Sequence, residues 1–218
     1  MRVLFLALLA GMIAGCSSAA APTPTPVLRI YASSASQPWL TEMYQCAEKQ
    51  GVVLVVDNGG DAEVILRLGE PPDLSASTFQ IDEDEILAVV QPQTGVSSLT
   101  LDQLRAIYTG QMTNWSQIGG SNLPIEVWTY PEGEDIQQIF NQNVLNGLKI
   151  VSSARLAMSV QSMSDNVGKD AGAIGFLPRR WKAGNTHETL VVARIPVMAI
   201  TKTEPKDQLE QVLSCLQK

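Results

Sequence analysis

Short β-branched runs recur along this chain with segments of helical period between them, and that alternation restricts the fold more than any other feature. VLRIY (27–31) alternates apolar and polar residues as a strand does, and ASSASQP then breaks the pattern. Trp39, Leu40, Met43, Tyr44 and Ala47 share one face of a helix predicted from about residue 39 to 50. VVLVV (52–56) is a continuous run of the kind that forms a strand buried on both faces, and EVILRL follows it after an NGGD turn.

The same alternation continues to the end. Strands are predicted at ILAVV (86–90), IEVWTY (125–130), KIVSS (149–153) and AIGFL (173–177). LVVARIPVMAI (190–200) reads as one or two strands with Pro196 at a break or an edge. Helices are predicted over 101–108, 135–146, 154–163 and 206–217, the first opened by Thr100 with Gln103 three residues on. Residues 70–84 read as an acidic loop. The expected class is α/β with mostly parallel sheets, a class that places ligands beyond the carboxyl ends of strands.

The N-terminus reads as a targeting segment rather than as part of the fold. Residues 1–15 carry one Arg and then an apolar run too short to span a bilayer comfortably, as in a signal peptide. They end in Ile13-Ala14-Gly15-Cys16, which resembles the bacterial lipobox, so Cys16 is the expected lipidation site and the anchor to the cell membrane. SSAAAPTPTP (17–26) cannot pack a core and favours an extended tether. The net charge of -7 argues against nucleic acid or an anionic membrane surface as the main partner. Of three cysteines, Cys46 and Cys215 remain as a candidate disulfide in an extracytoplasmic setting; two buried free thiols are the other reading.

From residue 97 onward the chain carries a specific signature. Ser98-Leu99-Thr100-Leu101-Asp102-Gln103-Leu104, Ile107-Tyr108-Thr109-Gly110, Asn114-Trp115 and Ile118-Gly119-Gly120 resemble, in order and spacing, a signature of the phosphate-binding proteins of ABC transporters. PIEVWTYPEG continues it, and Ala171-Gly172-Ala173-Ile174-Gly175-Phe176 is similar to another block of that family. The resemblance implies a type II periplasmic-binding-protein fold, two α/β lobes joined by two crossover strands with the ligand between them. Lobe one would be 27–88 plus 191–218 and lobe two 89–190, which puts Cys46 and Cys215 in the same lobe. The family further implies a small solute, phosphate or another anion, an ABC permease as partner, a monomer, no cofactor and no enzymatic activity.

Such sites hold an oxyanion on hydroxyls and backbone amides of turns at helix N-termini, with an Arg supplying charge. ASSAS, with Ser33, Ser34 and Ser36, resembles the first of these turns; simple N-capping of the first helix is its other reading. The second turn departs from the family. Tyr130 stands where Arg is expected, Glu134 where Ser, Asp135 where Gly and Ile136 where Thr, and Glu132 adds a third carboxylate. A carboxylate about 5 Å from a bound anion opposes it by ~3 kcal/mol at an effective dielectric near 20, about a hundredfold in affinity. Two readings follow. Either Asp135 is an N-cap with Gln138 three residues on and the carboxylates are structural, or Tyr130, Glu132, Glu134 and Asp135 contact a changed ligand. A corresponding alternative for the whole protein is an interaction or sensor module with a self-filled cleft.

No nucleophile motif, nucleotide loop or metal-ligand spacing appears in the sequence, and His187 is isolated. Asp82 to Glu85 reads as a solvated acidic loop, and Arg179-Arg180-Trp181-Lys182 as a surface cluster able to touch a partner or a lobe edge.

Overall fold

The structure is a computed structural model that describes residues 25–58, 60–72 and 75–217. The expected signal segment, the lipidation site at Cys16 and most of the tether lie outside the described residues.

Eight strands form one mixed sheet in the order β2-β1-β3-β8-β4-β7-β5-β6. In chain order they are β1 (Val27–Ala32), β2 (Val53–Val56), β3 (Val64–Leu68), β4 (Ser77–Val90), β5 (Glu126–Thr129), β6 (Arg155–Leu156), β7 (Ala173–Pro178) and β8 (His187–Thr201). The helices are α1 (Leu40–Lys49), α2 (Leu101–Tyr108), α3 (Asp135–Phe140), α4 (Val160–Lys169) and α5 (Asp207–Leu216). Parallel pairing joins β1 to β2 and β3, and β5 to β6 and β7.

The long strands β4 and β8 organise the molecule. They pair antiparallel along their whole length, with register shifts between Gln80 and Asp82, Ile86 and Leu87, and Ala88 and Val89. β3 pairs with the end of β8 from Val197 to Thr201, whereas β7 pairs with the end of β4 from Ile86 to Val90. Each long strand therefore belongs to the β1–β3 group at one end and to the β5–β7 group at the other. The segment between, Asp82 to Glu85 with Val197 to Arg194 opposite, is where both strands cross.

That crossing corrects the expectation of an acidic loop over 70–84, since residues 77–84 are strand. Their charges are tolerated because arginines face them. Glu85 accepts from Arg179 Nε at 2.6 Å and from Arg194 at 2.8 Å, and these two guanidinium groups hold its carboxyl below the usual carboxylate range. Arg194 also lies 3.4 Å from Glu83, and Arg180 lies 3.5 Å from Asp82. Burial pushes the carboxyl of Asp84 up instead.

Pro196 sits in the middle of the sheet rather than at a break or an edge. Its carbonyl accepts from Gly69 N at 2.8 Å, just past the last β3–β8 pair at Leu68 and Val197. A strand residue turns its nitrogen and its carbonyl toward the same neighbour, so the missing N–H faces a place where β3 has already ended.

VVLVV is corrected too. β2 is an edge strand that, among the described residues, pairs only with β1; Leu54 faces the core, while Val53, Val55 and Val56 are exposed. KIVSS forms no strand, and the two residues of β6 take the place beside β5. The helix expected over 154–163 begins at Val160, because Ser159 caps it by accepting from Ser162 N at 3.1 Å. Val160, Met163 and Val167 then form its buried stripe. Gly175 of β7 lets this helix approach, since a side chain there would run into Met163 and Val167. The helix expected over 135–146 is α3 followed by a π-helical turn, Asn141–Leu145.

Several expected features are present as read. Thr100 and Gln103 form a reciprocal capping box on α2. Trp115 of the signature is buried and donates its indole N–H to the Gly172 carbonyl at 2.9 Å, so the two signature blocks hold one another. α1 and α5 pack together and are joined by a disulfide between Cys46 and Cys215, Cα atoms 5.8 Å apart.

Candidate ligand-binding site

The turn after β1 is shaped by its own serines. Ser33 N donates to the Leu66 carbonyl at 3.1 Å, and Ser36 Oγ donates to the same carbonyl at 2.8 Å, which fixes the turn beside the end of β3. Ser36 is fully buried in this role and offers nothing to a cleft. Ser34 Oγ accepts from Val160 N at 3.0 Å, so it satisfies one of the free donors at the start of α4. Ser33 faces the start of α3.

There Asp135, 5% exposed, gathers three donors. Its Oδ2 accepts from Ser33 Oγ and from Leu68 N, both at 2.7 Å, and its Oδ1 accepts from Ile136 N at 2.7 Å. The capping-box expectation is thereby corrected: Glu134 is the N-cap, its side chain makes no cap bond, and Asp135 reaches across to the serine turn. A hydroxyl and two backbone amides converge on one oxyanion, and that oxyanion belongs to the protein.

Tyr130 does not contribute its hydroxyl to this place. The ring is buried against Phe176 at 5.1 Å, and the hydroxyl donates to the Phe176 carbonyl at 2.9 Å. Burial, with smaller effects from Tyr108, Glu134 and Asp135, holds its pKa well above the ordinary value. Gln137 explains the local rigidity, since its carbonyl oxygen accepts from Tyr130 N at 2.9 Å and from Thr129 Oγ1 at 2.6 Å. Glu132 is exposed and lines a separate open cavity of 760 Å³ with Lys149 and Leu156.

Beside Asp135 lies a cavity of 120 Å³ lined by Tyr31, Ser33, Arg67, Glu134, Asp135 and Gln138, among others. Burial and then the neighbouring Asp135 push the Glu134 carboxyl up, and burial with the same two carboxylates raises the Tyr31 phenol. Arg67 and Tyr31 were not anticipated as site residues. The alternation of EVILRL signals only that Arg67 points away from the face that buries Val64, Leu66 and Leu68.

The basic cluster is no simple surface patch, since it contacts α1 and the turn before it. Arg180 pairs with Glu42 at 2.8 Å and lies 4.6 Å over the Trp39 ring, whose N–H donates to Asp82 at 2.8 Å. Trp181 donates to the Ala35 carbonyl at 3.1 Å. Together with the bonds of Ser33 and Ser34, these contacts tie the turn after β1 and the start of α1 to α3, α4 and the segment after β7.

Residues 18–213 match the PBP superfamily domain. The chain belongs to that family. Over 124 residues it is 28% identical to phosphate-binding protein PstS of Bacillus subtilis (strain 168), a match covering 54% of this chain but only 39% of that relative. Among solved structures it is similar to one from Clostridium perfringens, described as a phosphate ABC transporter substrate-binding protein with bound phosphate. That likeness has a TM-score of 0.80 at 18% identity, over 87% of this chain and 92% of the other. An ABC-type phosphate transport receptor from Vibrio cholerae is similar with a TM-score of 0.67 at 19% identity, over 88% and 93% of the two chains. The architecture is accordingly that of a type II periplasmic binding protein. Membership in this family of binding proteins agrees with the expectation that the chain is no enzyme.

Proposed function

We propose that this chain is an extracytoplasmic solute-binding protein of the phosphate-binding type, anchored by lipid at Cys16 and working with an ABC permease, whose ligand is no longer phosphate. One observation carries the reading: Asp135 offers its own carboxylate to Ser33 Oγ and Leu68 N, the kind of donors that the family offers to an anion. A phosphate entering there would meet a carboxylate in place of free donors, and Glu134 would add a second negative charge. The proposed lobes, 27–88 plus 191–218 and 89–190, follow the two groups of strands that flank β8 and β4, and the solute would enter between them.

The second reading, an interaction or sensor module with a self-filled cleft, draws on the same bond and on the contacts that Arg180 makes with Glu42 and Trp181 with Ala35. A thermal-shift screen with phosphate, sulfate, cations, sugars and amino acids separates them. Stabilisation by a solute other than phosphate is the expected result. Micromolar stabilisation by phosphate would overturn the changed ligand, and silence across the panel would favour the module.

A further inference from the structure

The 120 Å³ cavity beside Asp135 is lined by two side chains of opposite charge, Glu134 and Arg67, whose charged ends no described residue pairs. Asp135 already accepts from three donors, but the Glu134 carboxylate accepts no hydrogen bond from any described residue. Arg67 uses only its Nε, which donates to the Leu68 carbonyl at 3.3 Å. Its terminal nitrogens make no hydrogen bond or ion pair among the described residues, and no ion pair joins Arg67 to Glu134 although both line the same space. A carboxylate and a guanidinium that line one small cavity without pairing form a complementary pair of sockets.

A simple anion would satisfy Arg67 and be opposed by Glu134 and Asp135; a simple cation would do the reverse. A molecule carrying both charges satisfies both. The cavity is small and opens to solvent, which suits a short solute. Tyr31 and Gln138 add a phenol and an amide able to meet a hydroxyl. We infer that this cavity takes a small zwitterion, a short α-amino acid such as glycine, alanine or serine, with its carboxylate on Arg67 and its ammonium on Glu134. The inference rests on the reading of the chain as a solute-binding protein with a changed ligand. The raised pKa of Glu134 agrees with a carboxylate that lacks a counter-charge until the ammonium arrives.

Calorimetric titration of the purified full chain with glycine, L-alanine and L-serine tests it, with methylamine and acetate as probes that carry one charge each. The amino acids are expected to bind at least about tenfold more tightly than either single-charge probe. Arg67→Gln and Glu134→Gln are each expected to weaken them by about tenfold or more, with melting curves showing that both variants remain folded. Amino acids that bind no better than methylamine or acetate, or variants that keep wild-type affinity, would overturn the zwitterion. If a sugar or polyamine binds instead and Glu134→Gln weakens it, the zwitterion fails while the solute-binding reading stands. Silence toward every solute overturns both.

Discussion

Ser33 donates its hydroxyl hydrogen to the Asp135 carboxylate at 2.7 Å, and so ties the turn after β1 to the first residue of α3. The bond joins two elements 102 residues apart, in a place where the resemblance implies that a solute would bridge them.

Asp135→Ala removes the acceptor of Leu68 N and leaves Ser33 Oγ only its bonds with Ser36 in a buried site. Bonds to a charged acceptor contribute about 1.5–3 kcal/mol each, and losing them without replacement is expected to cost about 2–4 kcal/mol. Calorimetry should show a melting temperature lower by about 5–15 °C in a chain of this size. Asp135→Asn keeps an acceptor oxygen and is expected to lose less than half as much.

Glu134 supplies a pH dependence of opposite sign to the common one. Its carboxyl is pushed up on folding, by burial first and by Asp135 second. Such a group favours the folded state while protonated, below its unfolded pKa near ~4.3, and that contribution is lost as the pH rises through the folded value. Glu134→Gln is therefore expected to melt higher than wild type near neutral pH, with the difference closing as the pH is brought down to about 4. A difference independent of pH would show that ionisation of Glu134 is not the cause.

The disulfide between Cys46 and Cys215 spans a sequence separation of 169 residues and fastens α5 to α1. Cross-links that close loops this long stabilise by about 3–5 kcal/mol. Reductant should lower the melting temperature of the wild type and leave a Cys46→Ser, Cys215→Ser chain unchanged.

Arg180→Ala separates the contacts of the basic cluster from the Asp135 bond. It removes the pairs with Glu42 and Asp82 and the stack on Trp39, at a cost of about 1–2 kcal/mol. Hydrogen exchange should rise first in the turn from Ser33 to Trp39 while the amides of β4 and β8 stay protected.

Much of the scaffold was legible because its signals are local. The capping box of Thr100 and Gln103, the alternation of β1 and the stripe of α1 need only neighbouring residues. What failed depended on partners far away in sequence. Asp82 to Glu85 reads as loop until Arg179, Arg180 and Arg194 are placed opposite, and β2 reads as a central strand until its position at the sheet edge is known. At the site, the reversed charge of GED was visible, and so was the idea that its carboxylates replace a ligand. Which carboxylate does so was not, because Asp135 Oδ2 finds its donors on Ser33 and Leu68 and not within its own helix. Tyr130 was misplaced for a similar reason: its hydroxyl is taken by Phe176, which only the fold brings near.

The most direct test of the internal anion is calorimetric titration of phosphate into the wild type and into a chain carrying Glu134→Ser and Asp135→Gly. No binding to the wild type at about 1 mM phosphate, with measurable binding to the double variant, is the predicted result. Micromolar phosphate binding by the wild type would contradict the claim that Asp135 holds the place of the anion.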